Sequence, residues 1–190
     1  METTFLGYKE KVLKNLEGLS FQRQLFFSVW ITEHLFRQYG KELNETFQEE
    51  EDLDLNEVLA FLWHVVDKGT SSIDEELMED YIAALENDDI YEDLDQDETE
   101  EAGQANLISA FYNSLLFIRD RTFILLGGSS SMPINIIDGI LVNDLGLKDD
   151  AGLIKHPMYQ DEFSTQNKML EYLRSDKPAG SAQKNLFRGE

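Results

Sequence analysis

The stretch DLNEVLAFLWHVVDKG, residues 54–69, carries the clearest helical pattern in this chain. Its apolar residues recur at spacings of three and four, which is the periodicity of one face of an α-helix. These residues are Leu55, Val58, Leu59, Leu62, Val65 and Val66. Asp54 with Glu57 forms a capping pair at the start, and Gly69 marks the end. Because Phe61 and Trp63 make the helix apolar almost all round, we expect it to lie at the centre of the fold.

The same spacing extends outward in both directions and predicts further helices. With the central one, they cover residues 4–16, 20–39, 54–69, 72–86, 101–126, 133–145 and 161–174. Gly40 is predicted to terminate the second helix, 86–101 to form an acidic loop, and Gly127–Ser131 to break the chain between two helices. The sequence therefore predicts an all-α, single-domain bundle of about six to seven helices over residues 1–175. The polar residues 176–190 are predicted to be a disordered tail.

Composition sets the class of protein. The chain has 190 residues, of which 42% are hydrophobic, and this is enough for a sizeable core. Cysteine is absent, which excludes disulfides and cysteine-ligated zinc. The N-terminal residues do not have the pattern of a secretory signal, and no apolar run approaches the roughly 18 residues that span a bilayer. We therefore expect a cytoplasmic protein with no membrane partner.

The negative charge is concentrated in one part of the chain. Of the formal net charge of −22, residues 1–41 contribute +2 (six basic, four acidic) and residues 119–190 contribute −1 (nine basic, ten acidic). Residues 42–118, here called the acidic segment, contain twenty-four acidic residues and a single cation, Lys68. Such a charge repels nucleic acids and attracts basic proteins or metal cations. Direct nucleic-acid binding is therefore disfavoured, and a basic protein is the expected partner.

The densest charge lies in the acidic loop and suggests a partner-binding site. An exposed aromatic ring among carboxylates suits electrostatic steering towards a basic partner, with the ring as a contact. The candidate partner-binding residues are Asp88, Asp89, Ile90, Tyr91, Glu92, Asp93, Asp95, Asp97 and Glu98. The alternative is a solvated loop that only keeps the protein soluble.

The acidic loop does not have the pattern of a calcium site. Asp93, Asp95 and Asp97 match positions 1, 3 and 5 of an EF-hand loop. However, Glu98 stands where the loop requires glycine for its sharp turn, and Gln104 stands where it requires a bidentate glutamate. We therefore predict no metal ligands and no cofactor.

No enzyme motif is present in the chain. His34 lies beside Glu33, His64 precedes Asp67 by three residues, and His156 lies before a proline. None of the three forms the Glu-x-x-His or His-Glu-x-x-His pattern of metal sites in helices. A phosphate-binding glycine motif and a Gly-x-Ser-x-Gly nucleophile elbow are also missing. The sequence therefore predicts a protein without catalytic residues.

Several stretches resemble the YjaG-like family of bacterial domains of unknown function. They are LEGLSFQRQLFFSVWITEHLFRQY at 16–39, with Glu33 as its central acidic residue, EVLAFLW at 57–63, the long helix at 105–119, and HPMYQDEFSTQNKMLEYL at 156–173. The similarity covers about residues 12–174 and implies a compact fold of roughly seven helices. It carries over no catalytic residues. Residues 123–148 match the family poorly, and the acidic excess is stronger than the family usually shows.

The leading functional hypothesis is a non-catalytic protein whose acidic face binds and neutralises a basic protein. Its most concrete form is a bacterial immunity protein that blocks a cationic or nuclease-type toxin. One alternative is a DNA mimic that inhibits several unrelated nucleic-acid-binding proteins. A second is a metal or small-molecule site in the helical core, using His64 with Asp67 or His34 with Glu33.

Overall fold

The computed structural model describes residues 4–86, 88–95, 98–148 and 152–187. These residues form eight α-helices, and no strand occurs among them. The helices are α1 Phe5–Leu16, α2 Phe21–Glu50, α3 Leu55–Lys68, α4 Glu75–Leu85, α5 Asp88–Glu92, α6 Thr99–Asp120, α7 Ile124–Gly139 and α8 Pro157–Leu173. A π-helical turn, Ile140–Asp144, continues α7. The prediction of an all-α, single-domain bundle is confirmed.

Helix α3 begins and ends where its sequence predicts. The Asp54 carboxylate accepts a hydrogen bond from the backbone N–H of Asn56 at 2.8 Å and so caps the first turn. At the other end, Gly69 has a φ of 76°, which favours glycine. On the apolar face between these caps, Leu59 is partly buried and the other five residues are buried in the core.

Helices α2, α6 and α7 form the centre of the bundle. Helix α2 has 30 residues, and at about 1.5 Å per residue it is about 45 Å long. It packs against α3, α6 and α7. Arg121, with a left-handed φ of 57°, ends α6, and the chain then reverses into α7. The predicted helix 101–126 is therefore two helices, which form an antiparallel hairpin.

Helices α1 and α8 lie side by side and join the two ends of the fold. The Tyr8 hydroxyl donates to Gln166 Oε1 at 3.0 Å across a separation of 158 residues. The rings of Tyr8 and Phe163 pack with their centroids 4.2 Å apart. We call this contact between α1 and α8 the closing seam.

The predicted end of the second helix at Gly40 is wrong, because α2 continues through this glycine to Glu50. The ring of Phe36 packs over the Gly40 Cα, and a Cβ at that position would overlap the ring. Gly40 is therefore a packing residue inside a helix, where its lack of a side chain makes room for an aromatic ring.

The glycine- and serine-rich run at 127–131, predicted to be a break, lies inside α7. Its small side chains are largely buried and allow α7 to pack closely against α2 and α6. Ser129 Oγ lies 2.9 Å from Ser28 Oγ, which in turn lies 2.8 Å from Ser114 Oγ. These hydroxyl groups satisfy one another between three helices, so burial does not leave them unpaired. Tertiary packing therefore keeps the run helical despite its composition.

The predicted acidic loop at 86–101 is only partly a loop. It contains all of α5 and the first three residues of α6, Thr99–Glu101. Acidic residues in the first turn of α6 suit the positive end of the helix dipole.

Residues 176–187, here called the C-terminal segment, lie against α2 and α3. Trp30 Nε1 donates to the backbone carbonyl of Lys184 at 3.0 Å. Asp67 accepts hydrogen bonds from the backbone N–H and the hydroxyl of Ser181 at 2.8 and 2.6 Å. The polar composition that predicts disorder here does not reveal these contacts, because most of them are polar contacts to distant helices.

One stretch of the described chain, Ile124–Asp144, is long and apolar enough to span a membrane by length and composition alone. Half of an 18-residue apolar window within this stretch is buried inside the protein. The core helix of a globular protein meets the same criterion.

Candidate functional site

The described carboxylates of the acidic segment lie on the surface. They follow the end of α2, the start of α3, the outer face of α4 and the chain from α5 into α6. Of the acidic side chains described in this segment, most are exposed, the others are partly exposed, and none is buried. The burial pattern therefore leaves the negative charge available to a partner.

The predicted partner-binding residues lie on α5 and on the chain between α5 and α6, and one of them falls outside the described residues. Five of them form α5, and these are Asp88, Asp89, Ile90, Tyr91 and Glu92. Asp93 and Asp95 follow α5, and Glu98 immediately precedes α6. The side chains of Glu92, Asp93, Asp95 and Glu98 are exposed, whereas Asp97 lies outside the described residues.

Ile90 and Tyr91 differ in their surroundings. Ile90 was predicted as an apolar contact for the partner, but its side chain is only 4% exposed and belongs to the core. It anchors α5 to the bundle instead. Tyr91 is 37% exposed and keeps the predicted position of an accessible ring beside carboxylates.

Carboxylates from two helices converge near Tyr81. Burial is the largest cause of the raised pKa of the Tyr81 hydroxyl, and the negative charges of Glu57, Asp54 and Asp74 raise it further. These carboxylates belong to the start of α3 and the start of α4. The fold therefore brings acidic residues that are distant in sequence onto one region of the surface.

The cations of the chain neutralise little of this charge. Lys68 is the single basic residue within the acidic segment. Arg119, just beyond it, lies 3.4 Å from Glu79 and 2.8 Å from Asp120. Exposed pairs of this kind contribute little stability.

Glu33 is one of two buried carboxylates among the described residues, the other being Glu162, and 8% of the Glu33 side chain is exposed. Its Oε1 lies 2.6 Å from Arg37 Nη2 and 2.9 Å from Lys184 Nζ. Its Oε2 accepts a hydrogen bond from Trp63 Nε1 at 2.5 Å. Burial alone would raise the pKa of Glu33, but the hydrogen bonds from Lys184, Arg37 and Trp63 outweigh it and lower the pKa.

The carboxylates beside the histidines have other partners. Glu33, next to His34, pairs with Arg37 and Lys184. Both oxygens of Asp67 accept hydrogen bonds from Ser181. His64 is exposed on the outer side of α3. Among the described residues, no group of three or more histidine, aspartate or glutamate side chains is arranged to hold a metal ion. The geometry thus gives no support to a site built on His64 with Asp67.

A groove of about 760 Å³ runs along the hairpin of α6 and α7, beside the acidic surface. Tyr91 from α5 and Lys9 from α1 form parts of its wall. Small residues on both helices line it, and these are Ala102, Ala105, Ser109, Gly128, Ser131 and Gly139. The groove also contains the amide side chains of Asn106, Asn113, Asn135 and Asn143.

The register of the hairpin sets the positions of these amides. Asn135 Nδ2 donates to Asn106 Oδ1 at 3.2 Å and joins the two helices at the middle of the groove. Nearer the turn, the amide of Asn113 lies against Gly128, where a Cβ would be 3.2 Å from Nδ2. The sequence analysis did not single out these residues, because asparagines spaced by seven or eight on a helix look like an ordinary solvent-exposed face.

Comparisons of the chain with protein-family models, curated proteins and solved structures find no match. The resemblance to the YjaG-like family therefore stays a prediction.

Proposed function

We propose that the protein is a non-catalytic interaction protein whose acidic surface binds a basic protein. Its most concrete form is a bacterial immunity protein that neutralises a cationic or nuclease-type toxin in the cytoplasm. The observation that carries the proposal is the excess of twenty-four acidic residues over one lysine in residues 42–118, with the described carboxylates on the surface.

Like charges at this density repel one another and destabilise the compact state. A basic partner would relieve that repulsion on binding, so complementary charge would contribute both to the association rate and to specificity. Tyr91, half-exposed beside Glu92 and Asp93, supplies an aromatic contact at the centre of the predicted site.

The test compares two variants with the same change in net charge. The first neutralises four carboxylates of the predicted site by Glu92→Gln, Asp93→Asn, Asp95→Asn and Glu98→Gln. The control neutralises four exposed carboxylates outside the acidic segment by Glu10→Gln, Glu17→Gln, Asp161→Asn and Glu171→Gln. The immobilised proteins are incubated with a native bacterial lysate, and the bound proteins are identified by mass spectrometry.

We expect wild type and control to retain a specific basic protein that the site variant loses. Its association rate should fall steeply with salt for the wild type and less steeply for the site variant. Equal retention by all three proteins would refute this placement of the site. Capture of many unrelated nucleic-acid-binding proteins, each displaced by duplex DNA, would instead favour the DNA-mimic alternative.

A further inference from the structure

The groove between α6 and α7 offers polar groups that the protein itself does not use. Among the described residues, the Lys9 ammonium, the Ser109 hydroxyl and the amides of Asn113 and Asn143 make no side-chain hydrogen bond or ion pair. Lys9, Ser109 and Asn113 are half-buried. Half-buried polar groups that lack protein partners, gathered in one concave site, are suited to bind a polar ligand.

Charge is placed at the two ends of the groove. The Lys9 side chain crosses α7 at Gly127, where a Cβ would lie 2.9 Å from Lys9 Cε. Asp138 lines the groove eleven residues further along α7, which is about 16 Å at about 1.5 Å per residue. The Tyr159 hydroxyl donates to Asp138 Oδ1 at 2.5 Å and fixes that carboxylate. The groove therefore presents a cation near one end and an anion about 16 Å further along, with the amides of Asn106, Asn113 and Asn135 between them.

This arrangement matches the main chain of a short peptide. An extended chain rises about 3.3 Å per residue, so about five residues fill 16 Å. A peptide with free ends carries a carboxylate at one end and an ammonium at the other. Asparagine amides offer one donor group and one acceptor, which are the groups that a peptide main chain pairs with. The small residues along both helices leave room for a backbone to approach closely.

We propose that the groove binds a short extended peptide through its main chain, with the C-terminal carboxylate of the peptide at Lys9. This site borders the acidic surface proposed above and shares Tyr91 with it, but it selects for peptide termini and backbone rather than for a basic protein.

The probe is penta-alanine with free termini, added to ¹⁵N-labelled full-length protein and followed by NMR. We expect saturable shifts of the side-chain amide signals of Asn106, Asn113 and Asn135 at millimolar peptide. Amidation of the peptide's C-terminus should weaken binding about tenfold, because the charge-assisted contact with Lys9 is lost.

Matched variants locate the site. Lys9→Met should weaken penta-alanine binding about tenfold, whereas Lys14→Met, an exposed lysine of the same helix, should leave it unchanged. Gly139→Leu should abolish binding by filling the groove. At Gly139 φ is −54° and a Cβ would meet no atom within 4 Å, so the side chain fits the fold. Ser164→Leu, on the exposed side of α8, is its control.

Three results would overturn the proposal. They are the absence of saturable shifts at the groove amides, equal binding by the Gly139→Leu variant, and equal binding of the peptide with an amidated C-terminus. The variant with four neutralised carboxylates should bind penta-alanine like the wild type. Failure of the acidic-surface proposal and failure of this one can thus be told apart.

Discussion

Glu33 joins three parts of the fold through one carboxylate. It lies on α2, accepts a hydrogen bond from Trp63 on α3 and pairs with Lys184 of the C-terminal segment. The pairing with Arg37, one turn further along α2, completes its shell of donors. These contacts give Glu33 a structural role.

We expect Glu33→Gln to lower the free energy of unfolding by about 1–3 kcal/mol, because hydrogen bonds to a charged group contribute about that much. The loss stays below that of a fully buried pair, since the side chains of Arg37 and Lys184 are 42% and 37% exposed and can be hydrated. Urea unfolding at neutral pH measures the change. Glu10→Gln, at an exposed position of α1, is the control and should stay within about 0.5 kcal/mol of wild type.

The pH dependence of that difference follows from the lowered pKa of Glu33. A carboxylate with a lower pKa in the folded state stabilises the protein fully above its unfolded pKa, which is about 4.3 for glutamate. This contribution is lost as the pH falls through the folded pKa. The difference in unfolding free energy between wild type and Glu33→Gln should therefore be constant from neutral pH down to about pH 5 and shrink below about pH 4. A difference that grows on acidification would contradict the proposed role of the ionised carboxylate.

At the scale of helices, glycines allow aromatic side chains of α2 to pack closely. A Cβ at Gly103 of α6 would overlap the ring of Tyr39, just as one at Gly40 would overlap Phe36. The T-shaped contact of Phe36 with Phe111, with ring centroids 5.9 Å apart, further binds α2 to α6.

Gly103→Ala and Gly139→Ala should have opposite effects. Gly103→Ala forces the Tyr39 ring to move and should cost about 1–3 kcal/mol of stability. Gly139→Ala places a methyl group in open space within helical backbone and should be neutral or stabilising by up to about 1 kcal/mol. Thermal unfolding of the two variants, compared with wild type, measures both. Equal effects would show that helix propensity, rather than the Tyr39 contact, decides the outcome at Gly103.

The contrast between α3 and α7 shows how far the sequence predicts the elements. Helix α3 combines apolar periodicity, a capping aspartate and a terminal glycine, so local signals agree and its ends are predicted. In α7 the glycines and serines favour a break locally. The helix nevertheless continues, because Gly127 leaves space for Lys9 and Leu13 of α1. In addition, the Ser129 hydroxyl is hydrogen-bonded to the hydroxyl of Ser28 on α2. These partners lie far away in sequence, so local patterns do not reveal them.

The same limit applies to the candidate sites. The acidic surface is visible in the sequence because charge is a property of composition. The groove depends on the register of α6 against α7. The hydrogen bond between Asn135 and Asn106 shows this register. Its lining comes from four helices, and the local sequence predicts a break within α7. The groove therefore could not be predicted before the hairpin was known.

At the scale of the whole molecule, the net charge of −22 makes stability depend on salt. Raising NaCl from about 10 mM to about 1 M shortens the Debye length from about 30 to about 3 Å and screens the repulsion within the acidic segment. We expect the melting temperature to rise with NaCl, as differential scanning calorimetry would show. The melting temperature of the variant with four neutralised carboxylates in 92–98 should rise less with NaCl than that of its control variant. A melting temperature that falls with NaCl would contradict net repulsion in the native state.

The closing seam also has a consequence for folding kinetics. The hydrogen bond from Tyr8 to Gln166 spans 158 residues, so its formation closes nearly the whole chain into a loop. The entropic cost of such a closure grows with loop length, and it is incurred before the contact contributes any stability. We therefore expect the hairpin of α6 and α7 to form early and the first and last helices to dock late. Weakening the seam should then speed unfolding while the refolding rate stays nearly the same.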